Sequence, residues 1–188
     1  GTPPYIVNYN SNDITNSENV GPGGSNIQVN PNLTTTYSLT YVVDSKGCES
    51  SLSDSVNLIV NEIPQASFTS PSETCDGEVI QLKFNCTAGL SPWIISYSVN
   101  GIPTSIPLNN AIDSIAISPT VQTIYSIDSI SDNNSCKNNI TQSLIINTNP
   151  LPEIILSGGG SICNDGSTVD VTFTINSGTP PYNLNYAA

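Results

Sequence analysis

The sequence predicts an all-β protein built from tandem immunoglobulin-like β-sandwich domains of about seven strands each, arranged as an extended rod. Three observations predict this fold class: a unit that repeats about every 88 residues, segments in which apolar and polar residues alternate, and turn signals every 8 to 12 residues. The sequence has no convincing apolar stripe of helical period and helical length.

The repeat is clearest in a short motif that occurs three times. GTPPYIVNY begins at residue 1, GLSPWIISY at residue 89 and GTPPYNLNY at residue 178. Further matching pairs lie 88 residues apart: Pro31 with Pro119, Tyr37 with Tyr125, Asp44 with Asp132, Cys48 with Cys136, and Cys75 with Cys163. Agreement over this many positions indicates a tandem array, in which the motif lies in the middle of each unit.

The complete unit, residues 65–150, gives the strand predictions. In VIQLKFNC the apolar residues alternate with polar ones, which is typical of a half-buried strand. The predicted strands are A at 66–70, B at 79–87, C at 93–99, C′ near 104–108, E at 112–118, F at 123–131 and G at 140–148. On this reading the motif is the turn from strand B into strand C.

The same repeat predicts the domain organisation. Residues 1–64 form a domain that lacks its first strands, residues 65–150 a complete domain, and residues 151–188 the N-terminal part of a third. Prolines at 64, 150 and 152 restrict the backbone at both joints, so these joints are expected to be short and stiff. The predicted partners are neighbouring repeats of the same chain.

Composition excludes several function classes. The chain has 15 acidic residues, three lysines and a net charge of −12, which argues against binding to nucleic acid or to an anionic membrane. It has no histidine, arginine or methionine, so the commonest general base and the bidentate phosphate clamp are missing. No apolar run approaches the length of a membrane span, so direct membrane insertion is not expected. An enzyme is not predicted.

The motif's aromatic residue is aromatic in every unit. Tyr5, Trp93 and Tyr182 stand at the start of strand C, which favours a packing role over a surface platform for stacking sugars. Tyr37 and Tyr125 follow a proline-containing corner at the start of strand F, where sandwich domains place a tyrosine whose hydroxyl bonds back to the preceding loop.

Four of the five cysteines follow the repeat and are candidate disulfide formers: Cys48, Cys75, Cys136 and Cys163. In immunoglobulin topology Cys75 and Cys136 lie at opposite ends of the domain, so two pairings remain open. Either a rearranged strand A brings them together, or each bridges to a neighbouring domain outside this chain; free thiols are a third alternative. Cys86 does not repeat and is expected to be a buried thiol.

Calcium is the only metal that the loops suggest. The acidic loops DSKGCES and NDGSTVD contain clustered oxygens that can hold Ca²⁺, although neither matches the EF-hand pattern. The cysteine spacing does not resemble a zinc site. No other cofactor is predicted.

Together, CNDG, GTPPY, PNLTTTYSLTYVVDSKGC and NEIP resemble the immunoglobulin-like and PKD-like repeats of large Bacteroidetes cell-surface proteins, including SprB-type gliding adhesins and other type IX secretion substrates. The resemblance covers essentially the whole chain. It implies an extracellular location on the cell surface, with surface polysaccharide or other cells as partners. It also implies O-glycosylation at Asp-Ser-aliphatic triplets, which makes Ser55, Ser114 and Ser129 candidates, with Ser55 and Ser129 expected to point outward.

The predicted function is a structural and adhesive one: a repeat segment that acts as a stiff stalk in a large bacterial adhesin or filament. The alternative is a spacer or carbohydrate-binding module of a secreted enzyme.

Overall fold

The structure, a computed structural model that describes residues 1–186, is all-β. Its contacts divide the chain into a first unit, Gly1–Glu62, and a second unit that begins at Ile63. The strands of the first unit are β1 Tyr5–Ser11, β2 Ile14–Val20, β3 Thr35–Val43, β4 Glu49–Ser51 and β5 Ser55–Leu58. No helix of the described residues is long and apolar enough to cross a membrane.

The second unit contains ten strands among its described residues. They are β6 Gln65–Thr69, β7 Glu73–Cys75, β8 Ile80–Ala88, β9 Trp93–Val99, β10 Ile102–Leu108, β11 Ile112–Ile117, β12 Thr123–Ser131, β13 Lys137–Asn149, β14 Glu153–Gly158 and β15 Val171–Ser177. Strands β6 to β13 form two sheets, here called the middle sandwich, and β14 pairs with β15 in a separate two-stranded sheet, the C-terminal strand pair.

The middle sandwich encloses the main hydrophobic core. One sheet has the order β10-β9-β12-β13-β7 and the other β11-β8-β6. Alternate residues of β8 and β9 point inward, because a pleated strand presents every second side chain to the same face. Phe84 of β8 meets Tyr97 of β9 across the core, with ring centroids 5.7 Å apart. Such contacts between the two sheets confirm the predicted β-sandwich fold.

The first unit has a single sheet among its described residues. Its strand order is β2-β1-β3-β4, with β5 also paired to β3. By the 88-residue repeat, β1, β2 and β3 are the counterparts of β9, β10 and β12. Among residues 1–62 the structure shows no counterpart of β6 or β8, and apolar side chains on one face of this sheet line an open groove together with Ile27 and Val29. The division into three domains at residues 64 and 150 stays a prediction.

The structure adds one strand that sequence reasoning missed. β7 pairs with the end of β13 in parallel, and Cys75 lies opposite Asn149. A three-residue strand is too short to show alternation, so the periodicity gave no signal for it. The seven predicted strands of the middle sandwich all occur, and the bounds of β9 and β12 agree with the predicted C and F strands.

Candidate functional sites

The repeated turn packs against the proline at the start of the middle sandwich. Gly89 has a φ of +80°, and a Cβ added to it would lie 2.9 Å from the Pro64 side chain and 3.0 Å from Asp132 Oδ2. Pro64 itself is fully buried. Glycine is therefore required here both for its backbone conformation and for the close approach. Gly178 repeats the arrangement, with Pro152 2.9 Å from the Cβ position.

The motif's aromatic side chain closes this turn by a hydrogen bond. Trp93 Nε1 donates to the Ala88 carbonyl at 3.0 Å, Tyr5 Oη to Gly1 at 3.0 Å and Tyr182 Oη to Gly178 at 2.9 Å. Trp93 is only 7% exposed, so its indole faces the core and offers no surface for sugar stacking. The repeated function of this position is structural.

A repeated carboxylate organises the neighbouring loop. Asp132 is 8% exposed, and its two oxygens accept from the backbone N–H groups of Leu90, Asn134 and Cys136 at 2.9 to 3.0 Å. Asp44 does the same in the first unit, accepting from the N–H groups of Thr2, Lys46 and Cys48.

These hydrogen bonds affect the titration of the first-unit carboxyl. The bonds from Thr2 and Cys48 favour the ionised form and lower the pKa of Asp44 below its ordinary range. In the loop DSKGCES, which sequence reasoning considered as a calcium site, the Asp44 carboxylate thus already accepts three backbone hydrogen bonds. Among residues 1–186, no three acidic or cysteine side chains cluster as a metal site would require. Calcium binding stays an untested prediction.

A threonine, and not the expected tyrosine, makes the hydrogen bond at the corner before β12. Tyr125 is buried, but no hydrogen bond joins its hydroxyl to another described residue. Instead, Thr123 Oγ1 donates to the Val121 carbonyl at 2.8 Å, and Thr35 Oγ1 donates to that of Leu33 at 2.7 Å in the first unit. Both units therefore have a corner hydrogen bond, but its donor is a threonine that lies two residues before Tyr125 or Tyr37.

The four repeating cysteines are free in this structure. Cys48, Cys75 and Cys163 are exposed, and Cys136 is half-buried. In the β-sheet, Cys75 lies opposite the last residue of β13, whereas Cys136 directly precedes the first residue of β13. At about 3.3 Å per residue, the length of β13 separates the two by roughly 40 Å. β7 is an additional strand after β6, but it places Cys75 far from Cys136. The alternative of a disulfide between these two cysteines within one unit is therefore wrong for this structure.

Cys86 behaves differently from the other cysteines. It is 4% exposed within the core, and burial raises the pKa of its thiol. Its neutral thiol packs as a small apolar group, in agreement with the sequence expectation.

The candidate glycosylation serines do not share one environment. Ser55 and Ser114 are exposed, but Ser129 is 9% exposed and lies inside the fold. The outward orientation expected for Ser129 is wrong, because a register shift between Ile127 and Ser129 interrupts the alternation of β12. A simple period of two cannot locate such a bulge. In its folded form the chain leaves Ser55 and Ser114 accessible to modification.

The comparisons with known proteins add little about function. No family model matches the chain. A curated protein, nucleoporin POM152 of Saccharomyces cerevisiae, is 30% identical over 163 residues. The match covers 77% of this chain but spans only 12% of the nucleoporin, and so it assigns no activity or partner to the chain.

Proposed function

We propose that this chain is a stalk segment of a large bacterial cell-surface adhesin or filament, and that its function is to transmit tension. The location and the parent class rest on the resemblance of the repeats to Bacteroidetes surface proteins. The mechanical role is supported by the way in which the ends of the middle sandwich are joined.

The observation that carries the proposal is the parallel pairing of β7 with β13. Glu73, Thr74 and Cys75 lie opposite Asn147, Thr148 and Asn149. Two flanking hydrogen bonds extend the pairing, from Asn147 N to the Ser72 carbonyl at 2.8 Å and from Asp76 N to that of Asn149 at 2.9 Å.

This geometry resists extension of the chain. When the N-terminal and C-terminal ends of the middle sandwich are pulled apart, β7 is drawn towards its own start and β13 towards its own end. Because the two strands are parallel, they must slide past each other, and every hydrogen bond between them is strained at once. A pair of strands that opened from one end would break its bonds one at a time, at a lower force.

The residue that precedes β6 is held against the middle sandwich. Pro64 packs against Gly89, and its carbonyl accepts a hydrogen bond from Asn138 Nδ2 at 3.1 Å. Proline has one restricted backbone angle, so the chain enters the sandwich in a defined direction. Tension on Pro64 thus passes directly into the folded middle sandwich.

The cysteines fit a covalent link between successive units. Cys75 lines a pocket of about 580 Å³ together with Thr179 and Pro181 of the next repeated turn. In the middle sandwich, the loop that carries Cys136 packs on the equivalent turn, where Asn133 N donates to the Leu90 carbonyl at 3.0 Å. The counterpart of Cys136 in the following unit would therefore approach Cys75. An oxidising compartment would join the two thiols as a disulfide across the joint.

Single-molecule force spectroscopy on the 188-residue chain tests the mechanical role. We expect the middle sandwich to unfold in one step, since residues 65–150 at about 3.5 Å each would extend to roughly 300 Å. Asp76→Pro removes the N–H that bonds to Asn149 and should lower the unfolding force while leaving the step length unchanged.

Asp76→Ala is the matched control, because it removes the same side chain and keeps the N–H. It should unfold at the wild-type force. Equal forces for the proline variant, the alanine variant and the wild type would contradict the proposal, as would gradual yielding of the sandwich with no discrete step.

A further inference from the structure

Strand β10 is an edge strand of the middle sandwich. It pairs with β9 on one side, and no strand of the described residues pairs with it on the other. An edge strand offers its unpaired N–H and C=O groups to strands of other molecules, so an edge of this kind promotes association unless something blocks it. The seven residues of β10 pair with β9 without a register shift, which makes this edge regular enough to receive a further strand.

The hydrogen-bond pattern of the β9–β10 hairpin determines which backbone groups of β10 are free. The Asn100 N–H donates to a carbonyl of β12 at 2.8 Å, so the N–H of the preceding residue, Val99, faces β10. Val99 lies opposite Ile102 across a two-residue turn, and the direction of the N–H groups alternates along β10 from there. The backbone nitrogens that face away from β9 are those of residues 103, 105 and 107.

Two of these three nitrogens belong to Pro103 and Pro107. Proline has no N–H, so the free side of β10 offers one backbone donor, that of Ser105. A two-fold antiparallel pairing between the β10 strands of two copies would be centred on Ser105, with Pro103 of one copy opposite Pro107 of the other. That pairing needs six N–H donors, three from each strand, and the two prolines of each strand remove four of them.

The fold does not require proline at these positions. In the first unit, β1 and β2 form the equivalent hairpin with a two-residue turn. By the 88-residue repeat, Thr15 and Asn19 of β2 stand where β10 has its prolines. β2 carries Glu18 in place of Ile106, and a charged residue is another device that deters pairing at an edge. The prolines of β10 therefore have a reason other than formation of the hairpin.

The other edges of the middle sandwich are blocked by different means. On β6, the Gln142 side chain accepts from the N–H of Phe68 and donates to its carbonyl, both at 3.0 Å, and so occupies groups that a further strand would use. On β11, the Ala111 carbonyl accepts from β8, which places the N–H of Ser114 on the free side, where Asp113 Oδ1 accepts it at 2.8 Å. β7, at the remaining edge, has only three residues.

We propose that Pro103 and Pro107 close the β10 edge to strand addition by a second copy of β10. Their effect is to keep sandwiches separate where many copies lie close together, as they do in a tandem array. Without the prolines, two sandwiches would join edge to edge into one continuous sheet. β10 lies far from both ends of the chain in sequence, and its edge has this property whether or not the chain bears tension.

Sedimentation velocity of the full 188-residue chain tests this role. The unblocked variant carries Pro103→Thr together with Pro107→Asn, which introduce the residues that the first unit has at these positions. Because four backbone hydrogen bonds become possible across the contact, its self-association constant should exceed that of the wild type at least about tenfold. Each single substitution restores two of the four donors and should give an intermediate increase.

A charge at the centre of the edge distinguishes this contact from any other. The two copies of residue 105 would lie opposite each other, so Ser105→Lys, added to the unblocked variant, places two like charges together and should return it to wild-type sedimentation. Ser143→Lys is the matched control, because it adds the same charge at an exposed position of β13, away from the β10 edge. It should leave the added association unchanged.

Urea denaturation of two proline variants checks the direction of the backbone groups. Ser105→Pro removes the last donor on the free side and should unfold close to the wild-type midpoint. Thr104→Pro removes an N–H that faces β9 and should lower the midpoint of the middle sandwich clearly.

Three results would overturn the proposal. The first is an unblocked variant that keeps the urea transition of the middle sandwich but sediments like the wild type. The second is added association that responds equally to Ser105→Lys and Ser143→Lys. The third is an equal loss of stability in Ser105→Pro and Thr104→Pro. Should the double substitution abolish the urea transition, the two single proline substitutions carry the same test.

Discussion

The middle sandwich and the first unit contain the same repeated strands in two states of completion. Ile127 in the middle sandwich is 1% exposed, while its counterpart Leu39 borders an open groove. Both sequences alternate in the same way, so the difference lies in the presence of β6 and β8. The comparison teaches that strand pattern alone determines which face is apolar, whereas burial requires the second sheet.

The largest expected difference in stability is between truncations of two equivalent phenylalanines, one buried and one exposed. Phe84→Ala removes a ring with no exposed surface and should destabilise the middle sandwich by about 3 to 5 kcal/mol. Phe173→Ala removes the corresponding, 42% exposed ring and should cost less than about 1 kcal/mol in the monomer. Urea denaturation of both variants at low protein concentration measures this. Equal losses would mean that the C-terminal strand pair is already covered.

Removal of the buried carboxylate should have a smaller effect. Asp132→Ala leaves three backbone N–H groups without their acceptor, at a cost of about 2 to 3 kcal/mol. The loss should appear in the urea midpoint of the middle sandwich. Asp44→Ala is the matched variant in the first unit, where the same bonds are exposed to water that can replace them. A larger effect at Asp44 than at Asp132 would contradict this account.

The smallest expected effect is a loss of stability of the first unit when the solution is acidified. Folding lowers the pKa of Asp44, so its contribution to stability is complete above the unfolded-state pKa, near pH 4, and is lost as pH falls through the folded pKa. The amide resonances of Thr2 and Cys48 should shift over that range. Asp44→Asn should remove this titration, and its persistence in the variant would assign the shift to another carboxyl.

The sequence predicted the sandwich well where the pattern was long and regular. The bounds of β9 and β12 agreed because each strand alternates over seven or more residues between clear turns. It failed where a strand was too short to show alternation, or where neighbouring strands set the local geometry. β7 is three residues long, and the bulge near Ser129 is set by pairing with neighbouring strands and not by the residues of β12 alone.

The candidate sites were predicted less well than the fold. The repeated aromatics were recognised as structural, but their hydrogen bonds to the turn carbonyls depend on side-chain direction, which periodicity does not encode. The corner bond was assigned to Tyr125 because tyrosine is usual there, yet Thr123 lies close enough to make it. The separation of Cys75 from Cys136 depends on the pairing of β7 with the end of β13, for which the sequence pattern gives no signal.

Amide hydrogen exchange of the dilute, monomeric chain tests the central claim most directly. The account predicts that amides of β12, buried under a second sheet, exchange at least about tenfold more slowly than amides of the equivalent β3. Placing residues 63–88 in front of Gly1 should raise the protection of β3 towards that of β12. Equal protection of the two strands would contradict the claim that burial of this repeated sheet requires the second sheet, which β6 and β8 supply in the middle sandwich.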